Sequence, residues 1–359
     1  MVELKVGESL AQDIYDEQGR LLLKEGTVLI QELIDSLQKK DIDTVYIDVE
    51  EKQVAEAEQE EALSLEAMEQ NDLDLQALIK AHEKLSFEMK RVALRGTYNK
   101  SIQDTIQRDL EQLIQPYLLS DQHRAIRYFM HMKESQKEYS YESHSINTAV
   151  LCALLGRWLS LDPHFIIEAA LAGLLHDVGE NRIPQNIFKK RGSLTSEEWN
   201  LVKTHPEKGA VILARTNWIH PRITLAVLRH HERLDGTGYP TGCPGSEIPL
   251  YARMIAVSGS FDALTSNRPY REASSIFYAI ADLRDRSFGQ LDARITRLLY
   301  DKILEYYIEQ EVQLSNGNRG VIVKAKKNGI VRPLVKSGQQ LFDLTEKEAP
   351  SILHVEKQQ

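Results

Sequence analysis

From about residue 76 to about 310, apolar residues recur at three- and four-residue spacing, and this period constrains the chain more than any other feature. Segments such as INTAVLCALLGRWL and IIEAALAGLLHDVG carry the helical repeat, so the stretch predicts packed helices with apolar faces. Pro163, Pro184, Pro206 and Pro221 mark breaks between them, because proline lacks the amide that a helix interior requires. The expected fold class is mainly α: a helical bundle with a small α/β or β module at each terminus.

The flanks lose the helical repeat. In residues 1–49, Gly7, Gly19 and Gly26 punctuate short apolar segments. Glu17-Gln18-Gly19 reads as a turn between strand-like Ile14-Tyr15 and Leu21-Leu22-Leu23. Gln31 to Lys40 has helical character, and Thr44 to Ile47 reads as a short strand. Residues 50–110 read as a helical linker. Its acidic, Ala/Glu/Gln-rich portion at 51–75 predicts a solvated helix or a flexible connector, and the stretch also suits homodimerisation. After 311, VQLSNGNRGVIVKA alternates apolar and polar residues around Asn316-Gly317, a strong hairpin signal. Residues 111–310 thus form the main domain and 311–359 a C-terminal β module, expected to sit on the N-terminal one.

The net charge of −9 argues against DNA or RNA as a general partner, which would need a basic face, but not against a small anionic nucleotide. No apolar run of membrane-spanning length and no secretion-signal layout occurs, so a cytoplasmic protein without a membrane partner is expected. Cys152 and Cys243 form no C-x-x-C pair and are too few for a disulfide framework.

Eleven histidines are present, and five of them form a pattern. His176 is followed by Asp177, His144 and His205 lie about thirty residues to either side, and His230-His231 opens HHERLDGTGYP. A lone histidine on a helix is usually structural or exposed. Adjacent His-Asp and His-His pairs change that reading, because imidazole and carboxylate together ligate iron, manganese or zinc, and packed helices bring distant residues to one point. His82, His123, His131, His164, His220 and His354 lie outside the pattern and read as ordinary residues.

The ordered set of His144, His176-Asp177-Val-Gly, Arg182-Ile-Pro184, Leu194-Thr-x-Glu-Glu, His205-Pro206, His230-His231-Glu232, Asp235-Gly-x-Gly238-Tyr239-Pro240 and Asp262-Ala-Leu-Thr-x-x-Arg268-Pro-Tyr270 resembles the HD-GYP family over about 125–305. The resemblance implies an HD-type bundle holding two divalent transition metals, iron or manganese, and hydrolysing cyclic di-GMP. It implies that Asp177 bridges two ions that activate water, with His205, His230 and His231 on one ion and His144 and His176 on the other. On this reading Asp177 and His176 are the catalytic pair. Gly238, Tyr239 and Pro240 form a wall beside the metals, and Arg268 and Arg271 clamp phosphates. A diguanylate cyclase domain is a further partner that the resemblance allows.

Three positions depart from the family pattern. Glu180 stands where members usually carry a phosphate-binding lysine, Gly259 where they carry a metal-ligating aspartate, and Ser140 where three-metal members carry glutamate. Gly259 weakens one metal position by removing an anionic ligand. Glu180, four residues after His176, is expected on the same helical face, from which it would restore the missing carboxylate. The alternative is an active site that has decayed. Three readings therefore stay open: a cyclic di-GMP phosphodiesterase, a degenerate receptor or interaction module for the same nucleotide, and a phosphohydrolase for other phosphate esters.

Overall fold

A computed structural model describes residues 6, 9–10, 13–15, 21–38, 45, 47–48, 76–89, 100–119, 122–135, 140–188, 190, 192–216, 218–267, 271–327, 330–346, 348–350 and 352–355. The chain divides into two compact units, Met1–Leu73 and Asp74–Gln359.

The first unit is a small α/β module. Strand β1 (Ser9–Leu10) pairs antiparallel with β4 (Ile47–Asp48), and β2 (Ile14–Tyr15) pairs with β3 (Leu21–Leu23), as the expected turn requires. Helix α1 (Gln31–Gln38) supplies Ile34 and Leu37 to a core shared with Leu10, Ile14 and Leu29. The last strand falls slightly later than the Thr44–Ile47 reading. The acidic stretch 51–75 lies outside the described residues.

The second unit is the helical bundle. Residues 76–89 form α2, followed by α3 (Lys100–Leu119), α4 (Gln122–Ser135), α5 (Tyr141–Trp158) and α6 (Pro163–Leu175). Leu78, Leu85 and Met89 of α2 are buried in the bundle core, so the described part of the expected 50–110 linker belongs to the domain itself. The ion pair of Lys84 with buried Asp109, at 2.7 Å, joins α2 to α3.

Helix α5 is buried without interruption from His144 to Gly156, which explains why its apolar residues surround the whole helix rather than one stripe. Each fully buried Leu among them contributes roughly 1.5–3 kcal/mol of hydrophobic stabilisation. Ser140 caps α5 by accepting the Ser143 amide at 3.0 Å. Helices α6 and α11 (Leu250–Leu264) lie against α5. Around this centre run α7 (Gln185–Phe188), α8 (Ser196–Val202), α9 (His205–Ala214), α10 (Pro221–Arg229), α12 (Ile276–Arg286) and α13 (Ala293–Tyr307). Thr195 and Glu198 close a reciprocal capping box on α8, which accounts for the Leu-Thr-x-Glu-Glu motif.

The chain closes in a five-stranded antiparallel sheet of order β8-β7-β6-β5-β9. Its strands are β5 (Glu311–Leu314), β6 (Arg319–Lys327), β7 (Ile330–Ser337), β8 (Gln340–Asp343) and β9 (Ile352–Val355). Gly317 turns β5 into β6 with a φ of 85°, a backbone conformation that favours glycine. Val312, Leu314, Ile322, Val335 and Leu344 join the same core as the bundle helices. The apolar residues of this sheet are thus buried with the helices of the second unit.

Candidate metal centre

The site lies where helix ends meet. His144 is in the first turn of α5, His176 caps the C-terminus of α6, His205 opens α9, and His230 caps the C-terminus of α10 with His231 next to it. Gly173 lets α6 approach α5, since a Cβ there would lie 3.0 Å from Ala149 Cα. After His176 the helix ends. Asp177 takes φ −97° and ψ 10°, and Val178–Arg182 form a 3-10 turn. A Cβ at Gly179 would sit 1.9 Å from the His205 carbonyl oxygen, so glycine allows α9 to press against this turn.

Five histidines and Asp177 converge as expected. Ligand atoms of Asp177, His205, His230 and His231 all lie within 4.8 Å of one another, and so do those of His144, His176 and Asp177. Asp177 Oδ2 is 3.0 Å from His176 Nε2 and 3.6 Å from His144 Nε2. Its Oδ1 is 3.2 Å from His205 Nε2 and 3.4 Å from His230 Nε2. Thus the two carboxylate oxygens face two different groups of imidazoles.

The ring protons are held away from the centre. The Nδ1 atoms of His176, His205 and His230 lie 2.7–2.8 Å from the carbonyls of Gly173, Val202 and Val227, each three residues back. A carbonyl only accepts, so these Nδ1 atoms carry the proton. The Nε2 lone pairs of His205 and His230 then face each other at 3.2 Å, and Asp177 Oδ1 accepts no hydrogen bond among the described residues. Inward lone pairs beside a buried carboxylate, with no proton to share, suit a cation, and the donor set suits a divalent transition metal.

For His230, His231 and His144 the electrostatics agree with that fit. Burial pushes the pKa of His230 down to about 4 and those of His231 and His144 below their ordinary value, favouring neutral ligands. Burial acts on His176 in the same sense, but the charge and hydrogen bond of Asp177 outweigh it and raise its pKa. Burial would raise the pKa of Asp177, yet the charge of His176 and the surrounding imidazoles hold it well below the carboxylate range.

A cavity of about 1000 Å³ opens over the cluster, with Glu180, Trp199, Arg233, Tyr239 and Gly259 in its lining. The Tyr239 ring stacks on His231 with centroids 4.6 Å apart. Gly238 and Pro240 shape the loop rather than the cavity wall. A Cβ at 238 would lie 2.4 Å from Arg233 N, and the Tyr239–Pro240 peptide is cis. Glu232 secures the far end of this loop: its Oε1 accepts from the amides of Thr241 and Gly242 and from the Thr241 hydroxyl.

Several expectations change here. Glu180 is not on a continued α6, because the helix stops at Leu175, and its carboxylate falls in neither ligand cluster although it lines the cavity. Arg271 is outside the lining, and its guanidinium donates to the Ala263 carbonyl at the end of α11. Arg268 lies outside the described residues. Among the lining residues, Lys190 and Arg233 are the Lys and Arg side chains, and the sequence reading passed over both. It also left without a role Asp262, which accepts from His144 Nδ1 at 2.7 Å.

The model of the HD domain family matches residues 108–295. A cyclic di-GMP phosphodiesterase of Pseudomonas aeruginosa is 36% identical over 203 residues, 56% of this chain and 49% of the relative. A cyclic di-GMP phosphodiesterase of Thermotoga maritima is 30% identical over 190 residues, 52% of this chain and 49% of the relative. The chain spans about half the length of these curated relatives. In fold, it is similar to an HDG"Y"P protein from Bdellovibrio bacteriovorus, with a TM-score of 0.55, 19% identity, and coverage of 84% of this chain and 95% of that one. Among the described residues no helix is long and apolar enough to cross a membrane. The HD-GYP resemblance is borne out, and the chain belongs to the HD domain family.

Proposed function

We propose that this chain is a metal-dependent phosphodiesterase that hydrolyses cyclic di-GMP in the bacterial cytoplasm. The observation that carries the reading is the turning of four imidazole Nε2 atoms onto the two oxygens of one buried aspartate. His205, His230, His231 and Asp177 Oδ1 would hold one divalent ion, and His144, His176 and Asp177 Oδ2 a second, with iron or manganese the proposed metals. Bound there, such ions supply Lewis acidity that lowers the pKa of water and offsets charge on the phosphoryl oxygens.

The protein's own residues do the rest. The carbonyls of Gly173, Val202 and Val227 keep three imidazoles in one tautomer, so the ligand lone pairs are organised in advance. Tyr239 stays a neutral phenol because burial raises its pKa, and its hydroxyl is a donor for a phosphate or ribose oxygen. Arg233 offers positive charge on the lining for the anionic substrate, the role expected of Arg268 and Arg271, with Lys190 nearby in the lining but paired with Glu198 at 2.6 Å.

The test is incubation of purified protein, loaded anaerobically with Fe²⁺ or with Mn²⁺, with cyclic di-GMP. Turnover that falls to background in Asp177→Ala, together with loss of bound metal, is the expected outcome. Absence of turnover in metal-loaded wild-type protein would overturn it. A second reading, binding without turnover, is favoured by Gly259. A Cβ there would lie 3.9 Å from His176 Nε2 and from His144 Cε1, so position 259 faces this half of the cluster without supplying a carboxylate. Tight binding of cyclic di-GMP by protein that does not cleave it would support that reading.

A further inference from the structure

We infer that Lys133, outside both ligand clusters found among the described residues, is a positioning residue for His144, acting through Asp262. The inference rests on the proposed metal centre but concerns a separate part of the bundle. Lys133 lies in the last turn of α4. Its ammonium is 2.5 Å from Asp262 Oδ1 and 3.0 Å from Ser266 Oγ, and its side chain is 9% exposed. Asp262, on the last turn of α11, is fully buried. Its Oδ1 also accepts from Asn147 Nδ2 at 2.8 Å, and its Oδ2 accepts from His144 Nδ1 at 2.7 Å.

An isolated carboxylate at that depth would be strongly disfavoured, and a buried ammonium likewise, so each makes the other tolerable. The consequence reaches the cluster. Because an ionised carboxylate only accepts, His144 Nδ1 carries the proton and Nε2 presents its lone pair toward Asp177 Oδ2. For His176, His205 and His230 a backbone carbonyl does this work, and a carbonyl is fixed by its own helix. The Asp262 side chain has rotatable bonds, and what immobilises it is Lys133 from α4 and Asn147 from α5. Of the four imidazoles aimed at Asp177, His144 is the one secured by a side chain, and Lys133 thereby sets its tautomer and aim.

The experiment uses the full-length chain labelled with ¹⁵N-histidine, read first without metal by the ring nitrogen shifts that report tautomers. In Lys133→Met, His144 is expected to lose its single Nδ1–H form while His205 and His230 keep theirs, and Lys133→Arg restores it. In a Mn²⁺ titration of the same proteins, the weaker of two binding steps falls roughly 10- to 100-fold in affinity and the tighter one is unchanged. A His144 signal identical to wild type in Lys133→Met overturns the inference. Should the methionine variant fail to fold, Lys133→Gln, which removes the charge but keeps a donor, carries the same test with the same outcomes. Wild-type protein that binds no Mn²⁺ would instead count against the metal centre, leaving the tautomer comparison to decide the role of Lys133.

Discussion

The His205–His230–His231 half of the cluster and the His144–His176 half share Asp177 but are assembled over different distances. In the first, His205 and His230 are aimed by carbonyls three residues away, so forming two helix ends largely sets the ligands. In the second, His176 is aimed in that local way, but His144 depends on Asp262, 118 residues away, which is itself held by Lys133, 129 residues from it. The first half also contains more candidate ligands, whereas the second has a glycine at the position where the family pattern has an aspartate. The contrast teaches that the two halves of one candidate metal site need not be equally strong. Geometry kept by local backbone survives changes elsewhere, while geometry kept by long-range side-chain contacts depends on the packing of the whole bundle.

The largest expected effect sets one half against the other. His230→Ala should remove the tightly bound ion and bring hydrolysis to background, while His144→Ala should leave that ion in place and weaken the second by on the order of 100-fold or more, beyond the loss typical of outer-shell changes. Metal quantification of both purified variants checks this, and equal losses would dissolve the distinction between the halves. A smaller effect in the opposite direction is expected from Gly259→Asp. The position has a helical backbone and a Cβ there meets only ordinary contact distances, so an aspartate is expected to add a carboxylate to the poorer half. Affinity for the second ion should rise roughly tenfold, equivalent to about 1.4 kcal/mol, with a gain in turnover. If Mn²⁺ titration and initial rates both stay at wild-type values, the weakness has another origin.

The smallest effect lies outside both halves and separates bundle stability from site chemistry. Burial lowers the pKa of His82 on α2 from 6.5 to about 4. Since the folded state holds its proton less tightly than the unfolded chain, the associated stability is present above pH 6.5 and is lost as pH falls toward 4. Between pH 7 and 5 this amounts to about 2 kcal/mol as an order of magnitude. Urea unfolding at the two pH values should show this acid loss in the wild type and a smaller one in His82→Leu.

The helical class, the terminal strands and the clustered histidines were legible because each rests on short-range patterns. The apolar repeat marks helices, Asn316-Gly317 marks a hairpin, and adjacent His-Asp and His-His pairs mark the site. The illegible part depends on tertiary contact. Lys133 has no distinguishing neighbours in the chain, and only the packing of α4 against α11 brings it to Asp262. The misplacement of Glu180 has the opposite origin. Helical spacing was extended through Asp177, but the turn there changes so that α9 can press on Gly179. Arg233 was overlooked because it sits beside stronger signals, His230 and His231.

The burial of the C-terminal strands in the helical core has a practical reach. A recombinant fragment ending at residue 295, where the family match stops, would leave part of that core without its cover and end inside α13. Such a piece would be expected to aggregate even with every ligand histidine present. The smallest autonomous version of this domain therefore extends through the strands, and changes made in them will be felt as altered solubility and melting temperature before any change at the histidine cluster.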